Sequence, residues 1–76
     1  MKIMNEPIKV MAVFEKNGKI TPIKFRLNDQ VVKVQKILKT YETGNRYVMF
    51  VCEHNGKDIY ELKYDIKENL WYLYKK

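Results

Sequence analysis

Residues 8–27 have the sequence IKVMAVFEKNGKITPIKFRL, and this stretch decides the fold. Apolar side chains recur at every second position on both sides of Asn17-Gly18, which is the period of a half-buried β-strand. An Asn-Gly pair between two such runs favours a type I′ turn, because both central residues of that turn need positive φ. The stretch therefore predicts a β-hairpin. Its predicted register places Phe14 opposite Thr21, Ala12 opposite Ile23, and Val10 opposite Phe25. Pro22 has no N–H for the ladder, so it should lie at an edge or a bulge.

The same alternation continues along the chain. After a turn at Asn28-Asp29, residues 30–40 predict one long strand with a bend near Lys36, where the parity of the apolar positions changes. The alternative is a short helix over residues 34–41, which the β-branched residues at its start disfavour. Residues 46–54 predict a strand that leads into a second Asn-Gly hairpin. In that hairpin the predicted pairs are Val51 with Tyr60, Met49 with Leu62, and Tyr47 with Tyr64. In the last hairpin they are Asp65 with Leu70, Tyr64 with Trp71, and Leu62 with Leu73.

Together these segments predict an all-β fold with about six strands. Six short, twisted strands with one apolar face close most easily into a small antiparallel barrel, SH3-like or similar, built of consecutive hairpins. A chain of 76 residues has room for one domain. We therefore expect a single β-barrel domain over residues 1–76, with a loosely ordered N-terminus over residues 1–6.

The segment 14–26, the later Val32-Lys33-Val34 and the aromatic Trp71 also carry a resemblance. They resemble small all-β proteins of Gram-positive bacteria, which have an Asp-Gly or Asn-Gly turn, an Ile-x-Pro stretch, a basic-aromatic pair and an aromatic C-terminal strand. The resemblance covers most of the chain and implies a fold but no activity. This chain departs from it at residues 42–45, where the family often has a longer, Gly-rich loop.

The charge is uneven along the chain, whose formal net charge is +6. Residues 1–40 hold nine bases and three acids, a balance of +6, whereas residues 41–76 hold six of each. Such asymmetry indicates an anionic partner for the first half, although a net charge of this size also suits a merely soluble surface. One cysteine excludes an internal disulfide, and residues 1–7 contain no apolar segment typical of a signal peptide. We therefore expect a cytoplasmic protein without a membrane association.

The sequence contains few candidate residues for catalysis or for metal binding. Cys52 and His54 share a strand face beside the second turn, but two ligands are too few for a zinc site. A thiolate pair there would lack an orienting third group and an oxyanion hole. The three glycines are turn glycines rather than a phosphate-binding loop. We expect no enzyme activity and no cofactor.

One strand face combines basic and aromatic residues, a pattern typical of nucleic-acid binding. Lysine and arginine neutralise phosphates, and flat aromatic rings stack on unpaired bases. The alternative is that lysines guard exposed strands and that tyrosine simply favours β-structure. The candidate nucleic-acid residues are Lys9, Lys24, Arg26, Lys33, Tyr72 and Tyr74.

A second prediction concerns apolar residues placed outside the predicted core. Either the sheet wraps so that both faces are partly buried, or a patch remains for another protein or for a second copy of the chain. The candidate protein-interaction residues are Val48, Phe50 and Ile59. A protein-protein interaction or homodimerisation module is therefore the alternative to a nucleic-acid-binding module.

Overall fold

The computed structural model describes residues 3–76, which form one antiparallel sheet of seven strands curled into a half-barrel. The strands are β1 (Ile3–Phe14), β2 (Ile20–Leu27), β3 (Gln30–Lys33), β4 (Lys36–Thr43), β5 (Tyr47–His54), β6 (Asp58–Asp65) and β7 (Leu70–Lys75). Their order across the sheet is β3-β2-β1-β7-β6-β5-β4. The all-β prediction is confirmed. Nothing in this part of the chain is a helix that could cross a membrane.

The prediction of six strands in a closed barrel is wrong, because the predicted long strand over residues 30–40 is two strands. It breaks at residues 34–35, next to the position where we expected a bend. β3 pairs with β2 at one edge of the sheet, and β4 pairs with β5 at the other. At the break, the Val34 N–H donates to Ile23 O at 2.8 Å and the Gln35 N–H donates to Glu53 O at 3.1 Å. The two edges are therefore linked at this elbow, and the SH3-like assignment remains a prediction.

The N-terminal segment takes part in the sheet. Residues 3–6, which we expected to be loosely ordered, belong to β1, and residues 1–2 lie outside the described part of the chain. β1 pairs with the last strand, β7, through Glu6 with Leu73 and Ile8 with Trp71. β1 therefore lies between β2 and β7 and connects the two halves of the sheet.

The first hairpin turns differently from the prediction. The Gly18 N–H donates to Glu15 O at 3.0 Å, and Gly18 has a φ of 88°, whereas Asn17 keeps a negative φ. This is a three-residue loop with a type I turn and a left-handed glycine, not a type I′ turn. Phe14 consequently pairs with Ile20 rather than with Thr21. A bulge at Ile23 then restores the predicted pairing of Val10 with Phe25. The bulge follows Pro22, as expected for a residue that cannot donate a ladder hydrogen bond.

The second hairpin has the predicted turn but a shifted register. Asn55 and Gly56 both have positive φ, as a type I′ turn requires. His54 nevertheless pairs with Asp58, so that Lys57 is left over and every pair moves by one residue. A shift of one residue turns a strand over, because side chains alternate between faces. β5 therefore presents the opposite face to the one predicted.

The core lies on the concave side of the half-barrel. The predicted register of β6 with β7 is confirmed, with Leu62 opposite Leu73 and Tyr64 opposite Trp71. Leu62 and Leu73 are fully buried, and the Trp71 ring lies 4.7 Å from that of Tyr64. The buried cluster consists of Phe25, Leu27, Val32, Val48, Phe50, Cys52, Tyr60, Leu62, Tyr64, Trp71 and Leu73. We call the opposite, convex side of the sheet the outer face.

Candidate nucleic-acid interface

The four basic candidates are cross-strand neighbours on the outer face, and we call them the basic cluster. Lys9 on β1 lies opposite Arg26 on β2, and Lys24 on β2 lies opposite Lys33 on β3. Each alternates with a residue that points to the core, such as Phe25 between the two β2 cations. The structure thus brings together four residues that the sequence predicted on one face.

The basic cluster contains like charges in direct opposition. Lys9 faces Arg26 and Lys24 faces Lys33, an arrangement that destabilises a sheet. None of the four forms a salt bridge within residues 3–76, where the recorded ion pair joins Arg46 to Asp65 at the far side of the sheet. An anionic partner would relieve this repulsion.

An open depression of about 690 Å³ is lined by three members of the basic cluster, Lys9, Lys24 and Arg26. Met11 and Val31 lie beside the charges and are 57% and 53% exposed, so the surface is apolar as well as cationic. A smaller depression of about 410 Å³ continues past Lys9 and Arg26 toward the turn at Asn28-Asp29. In that turn both residues have positive φ, which lets β2 and β3 pair through a two-residue loop.

The two tyrosine candidates belong to a larger group on the outer face. Tyr72 and Tyr74 on β7 lie beside Lys63 on β6, whose ammonium is 5.0 and 5.2 Å from their ring centroids. The same ammonium is 4.8 Å from the ring of Tyr47 on β5. Tyr41 on β4 completes the wall of the concavity there. We call Tyr41, Tyr47, Tyr72 and Tyr74 with Lys63 the tyrosine cluster.

A buried hydrogen bond fixes one side of the tyrosine cluster. The Tyr41 hydroxyl donates to Oε2 of Glu61, which is only 5% exposed. The contact crosses β5 and ties the edge strand β4 to β6. The hydrogen bond to the carboxylate, together with burial and the negative charge of Glu61, raises the pKa of Tyr41 to about 12. The phenol therefore stays protonated and holds this carboxylate.

An ion pair fixes the end of the same face. The Arg46 guanidinium donates from Nε and Nη2 to the Asp65 carboxylate at 3.0 to 3.3 Å. Asp65 Oδ1 also accepts the N–H groups of Lys67 and Glu68 at 3.0 and 3.2 Å, so it organises the turn into β7. The hydrogen bonds from Arg46 hold the pKa of Asp65 below its ordinary value. Arg46 also lies over the Tyr47 ring at 5.4 Å.

The basic cluster and the tyrosine cluster share one continuous surface. Pro7 on β1 pairs with Tyr72, two residues before Lys9. Three strand spacings separate β2 from β6 in the sheet order, which is about 14 Å along the sheet. The cationic and aromatic halves of the outer face are therefore adjacent, with β1 between them.

The protein-interaction candidates lie elsewhere than predicted. Val48 and Phe50 point into the core, where they are 7% and 1% exposed, because the second hairpin is shifted by one residue. Phe50 packs against Trp71 with the ring centroids 5.6 Å apart. Ile59 is half-buried opposite Glu53. The three residues form no common exposed patch.

Cys52 and His54 lie on the concave side, where Cys52 is buried and His54 contacts the end of β3. Cys52 is buried, and burial raises the pKa of its thiol to about 12, so the thiolate is strongly disfavoured. His54 Nδ1 lies 2.9 Å from Lys33 O, and the Asn55 N–H donates to Gln35 Oε1 at 2.8 Å. Both contacts attach the β5–β6 turn to the elbow between β3 and β4.

Sequence reasoning missed several residues of the outer face. The predicted register pairs Tyr47 with the core residue Tyr64, whereas the observed register pairs it with Asp65 on the outer face, and the sequence alone gives Lys63 no role. The signal that was available is the alternation of Lys63, Tyr72 and Tyr74 across the confirmed β6–β7 register. The contribution of Tyr41 depends on β4 being the edge strand beside β5, which no local pattern indicated.

No protein-family model, curated protein or solved structure matches this chain. The resemblance drawn from the turn, the Ile-x-Pro stretch and the aromatic last strand therefore stays a prediction.

Proposed function

We propose that this protein is a non-catalytic module that binds single-stranded nucleic acid across its outer face. The basic cluster contacts phosphates, and tyrosines beside it stack on unpaired bases. The observation that carries the proposal is the pair of like-charged oppositions, Lys9 with Arg26 and Lys24 with Lys33, which lack an acidic partner in register. Phosphates would supply the missing negative charge.

The aromatic half of the outer face favours a single strand over a duplex. Base faces are available for stacking only when the bases are unpaired, and stacking on an aromatic side chain contributes about 1–3 kcal/mol per base. Tyr72 and Tyr74 are half-buried, so their rings retain accessible area beside the basic cluster. Duplex DNA would contact the lysines through its phosphates but would gain nothing from the tyrosines.

The protein-interaction alternative loses the surface on which it was based, since Val48 and Phe50 are buried. Association of two copies remains a prediction that light scattering can test. A dimer that persists without nucleic acid, in a protein that binds no strand, would favour that alternative.

The test is fluorescence anisotropy with a labelled single strand of about 12 nucleotides, within the range that small β-domains cover. Four phosphate contacts predict that log K falls with log salt at a slope of about −2.8. The double variant Lys24→Gln, Arg26→Gln should reduce this slope by about half, whereas Lys57→Gln, in the exposed β5–β6 turn, should leave it unchanged. Binding that is independent of salt, or equal losses in both variants, would contradict the proposal.

A further inference from the structure

Every member of the tyrosine cluster except Tyr72 lines a pocket of about 210 Å³, which is more closed than the depression beside the basic cluster. It lies on the outer face between β4, β5, β6 and β7. Met49 forms its floor and is only 3% exposed, although it points away from the core. The pocket is lined by Tyr41, Thr43, Tyr47, Met49, Lys63 and Tyr74.

Lys63 brings an ammonium group into this pocket with no carboxylate bound to it. Its nitrogen lies 4.8 to 5.2 Å from the ring centroids of Tyr47, Tyr72 and Tyr74, and it forms no salt bridge within residues 3–76. Ring faces attract a cation but do not accept its hydrogen bonds as an oxygen does. An ammonium has three donors and no acceptor, so it selects ligands that offer acceptors.

The two buried acids beside Lys63 on β6 are already engaged, since Arg46 binds Asp65. Glu61 lies two residues before Lys63 on β6 and accepts the hydrogen bond of Tyr41. The pocket therefore presents aromatic rings and a donor-only cation to a ligand, and its wall on the β4 side is held in place. Such a lining suits a flat ring with an oxygen acceptor at its edge.

We propose that this pocket receives one unpaired pyrimidine with a keto oxygen at position 4, which is uracil or thymine. The base displaces the Lys63 ammonium from the ring face of Tyr47 or Tyr74 and stacks there, and Lys63 then donates to the 4-keto oxygen. Cytosine has the same size but carries an amino donor at that position, which faces the ammonium unfavourably. Complete small-molecule sites begin at about 300 Å³, so this smaller pocket suits one base of a strand. The inference rests on the proposed function and names the base class that it selects.

The test compares two strands of equal length, oligo(dU) and oligo(dC), because they differ mainly at the 4 position. Fluorescence anisotropy should show about tenfold tighter binding of oligo(dU), equivalent to one charge-assisted hydrogen bond. Lys63→Met should abolish this preference. The matched control is Lys39→Met. Lys39 does not line the pocket, although its ammonium lies 5.1 Å from the ring centroid of Tyr41. This variant should weaken the binding of both strands equally and keep the preference for oligo(dU). Equal binding of the two strands by the wild type, or a preference that survives in Lys63→Met, overturns the inference.

An NMR titration of the full chain with oligo(dU) separates the two proposals without any substitution. Changes in the amide chemical shifts of Tyr47, Lys63 and Tyr74, together with changes in the basic cluster, support both the proposed function and the base pocket. Shifts at Lys24 and Arg26 with none in the pocket overturn the base pocket and leave the proposed function standing. Absence of shifts on the outer face overturns both.

Discussion

The orientation of β5 predicts a difference between two valines on the same strand. Val48 points into the core and is 7% exposed, whereas Val51 points to the outer face and is half-buried. The register expected from the sequence would reverse these roles. Replacing each with alanine removes the same two methyl groups from opposite faces of one strand, so the pair measures the orientation directly.

The expected magnitudes follow from burial. Two fully buried methyl groups contribute about 1.6 kcal/mol by transfer, and the cavity left behind raises the cost of Val48→Ala to about 2–3 kcal/mol. Val51→Ala, at a half-buried position, should cost about 1 kcal/mol or less. A chain of this size has a total stability of about 4–11 kcal/mol, so both variants should remain folded. Phe50→Ala should cost about 3–5 kcal/mol and approach the limit of folding.

Urea denaturation followed by the fluorescence of Trp71 measures these differences, because the indole is buried and lies 5.6 Å from the ring of Phe50. Far-UV circular dichroism provides an independent probe of the same transition. If Val51→Ala destabilised the protein more than Val48→Ala, the shifted register of the second hairpin would be refuted, together with the outer-face position of Tyr47.

Two further predictions concern pH. The hydrogen bond to Glu61 raises the pKa of Tyr41 to about 12, above its ordinary 10.0, so its stabilising contribution is complete below pH 10 and is lost as the pH rises toward 12. Alkaline denaturation of Tyr41→Phe should therefore lack the loss of stability that the wild type shows as the pH rises toward 12. Identical curves for the two proteins would contradict this role of Tyr41. Hydrogen bonds from Arg46 hold the pKa of Asp65 below its ordinary 3.8, so that contribution is present above this value and is lost as the pH falls through the lower, folded value. Asp65→Asn should therefore flatten the acid side of the stability profile, and an unchanged acid midpoint would argue against the pairing.

The last hairpin and the strands outside residues 30–40 could be predicted from the sequence, because alternation and turn residues agree there. Leu62 and Leu73 face each other as expected, since the turn before β7 is fixed locally by Asp65. The Asn69 N–H donates to Asp65 O at 2.8 Å and closes the same turn. Where one local interaction sets the loop length, the register follows from the pattern alone.

The two Asn-Gly turns show why register could not be predicted elsewhere. The same dipeptide gives a negative φ at Asn17 and a positive φ at Asn55. The loop length then differs from the two residues expected, and each difference moves the register by one. In the first hairpin the bulge at Ile23 cancels the shift, so Lys9, Lys24 and Arg26 lie on a common face as expected. In the second hairpin nothing cancels it, so the faces of β5 were exchanged.

Strand order lay beyond local sequence patterns for a different reason. β3 and β4 are separated by two residues, yet they lie at opposite edges of the sheet. The N–H groups of Val34 and Gln35 at this elbow donate to the carbonyls of Ile23 and Glu53. These two acceptors are distant in sequence from the elbow. The tyrosine cluster depends on this arrangement, because it places Tyr41 within reach of Glu61.

The two halves of the outer face differ in how they are packed, and this difference bears on function. Around β5 and β6, Met49 and Glu61 are 3% and 5% exposed although they point away from the core. Around β1 and β2, Lys9 and Arg26 remain exposed and face each other. A sheet face that only contacts solvent would not be expected to combine buried side chains on one half with repulsion between opposed cations on the other. The proposed nucleic-acid ligand would account for both features, because its phosphates would relieve the repulsion and its bases would contact side chains that packing has already ordered.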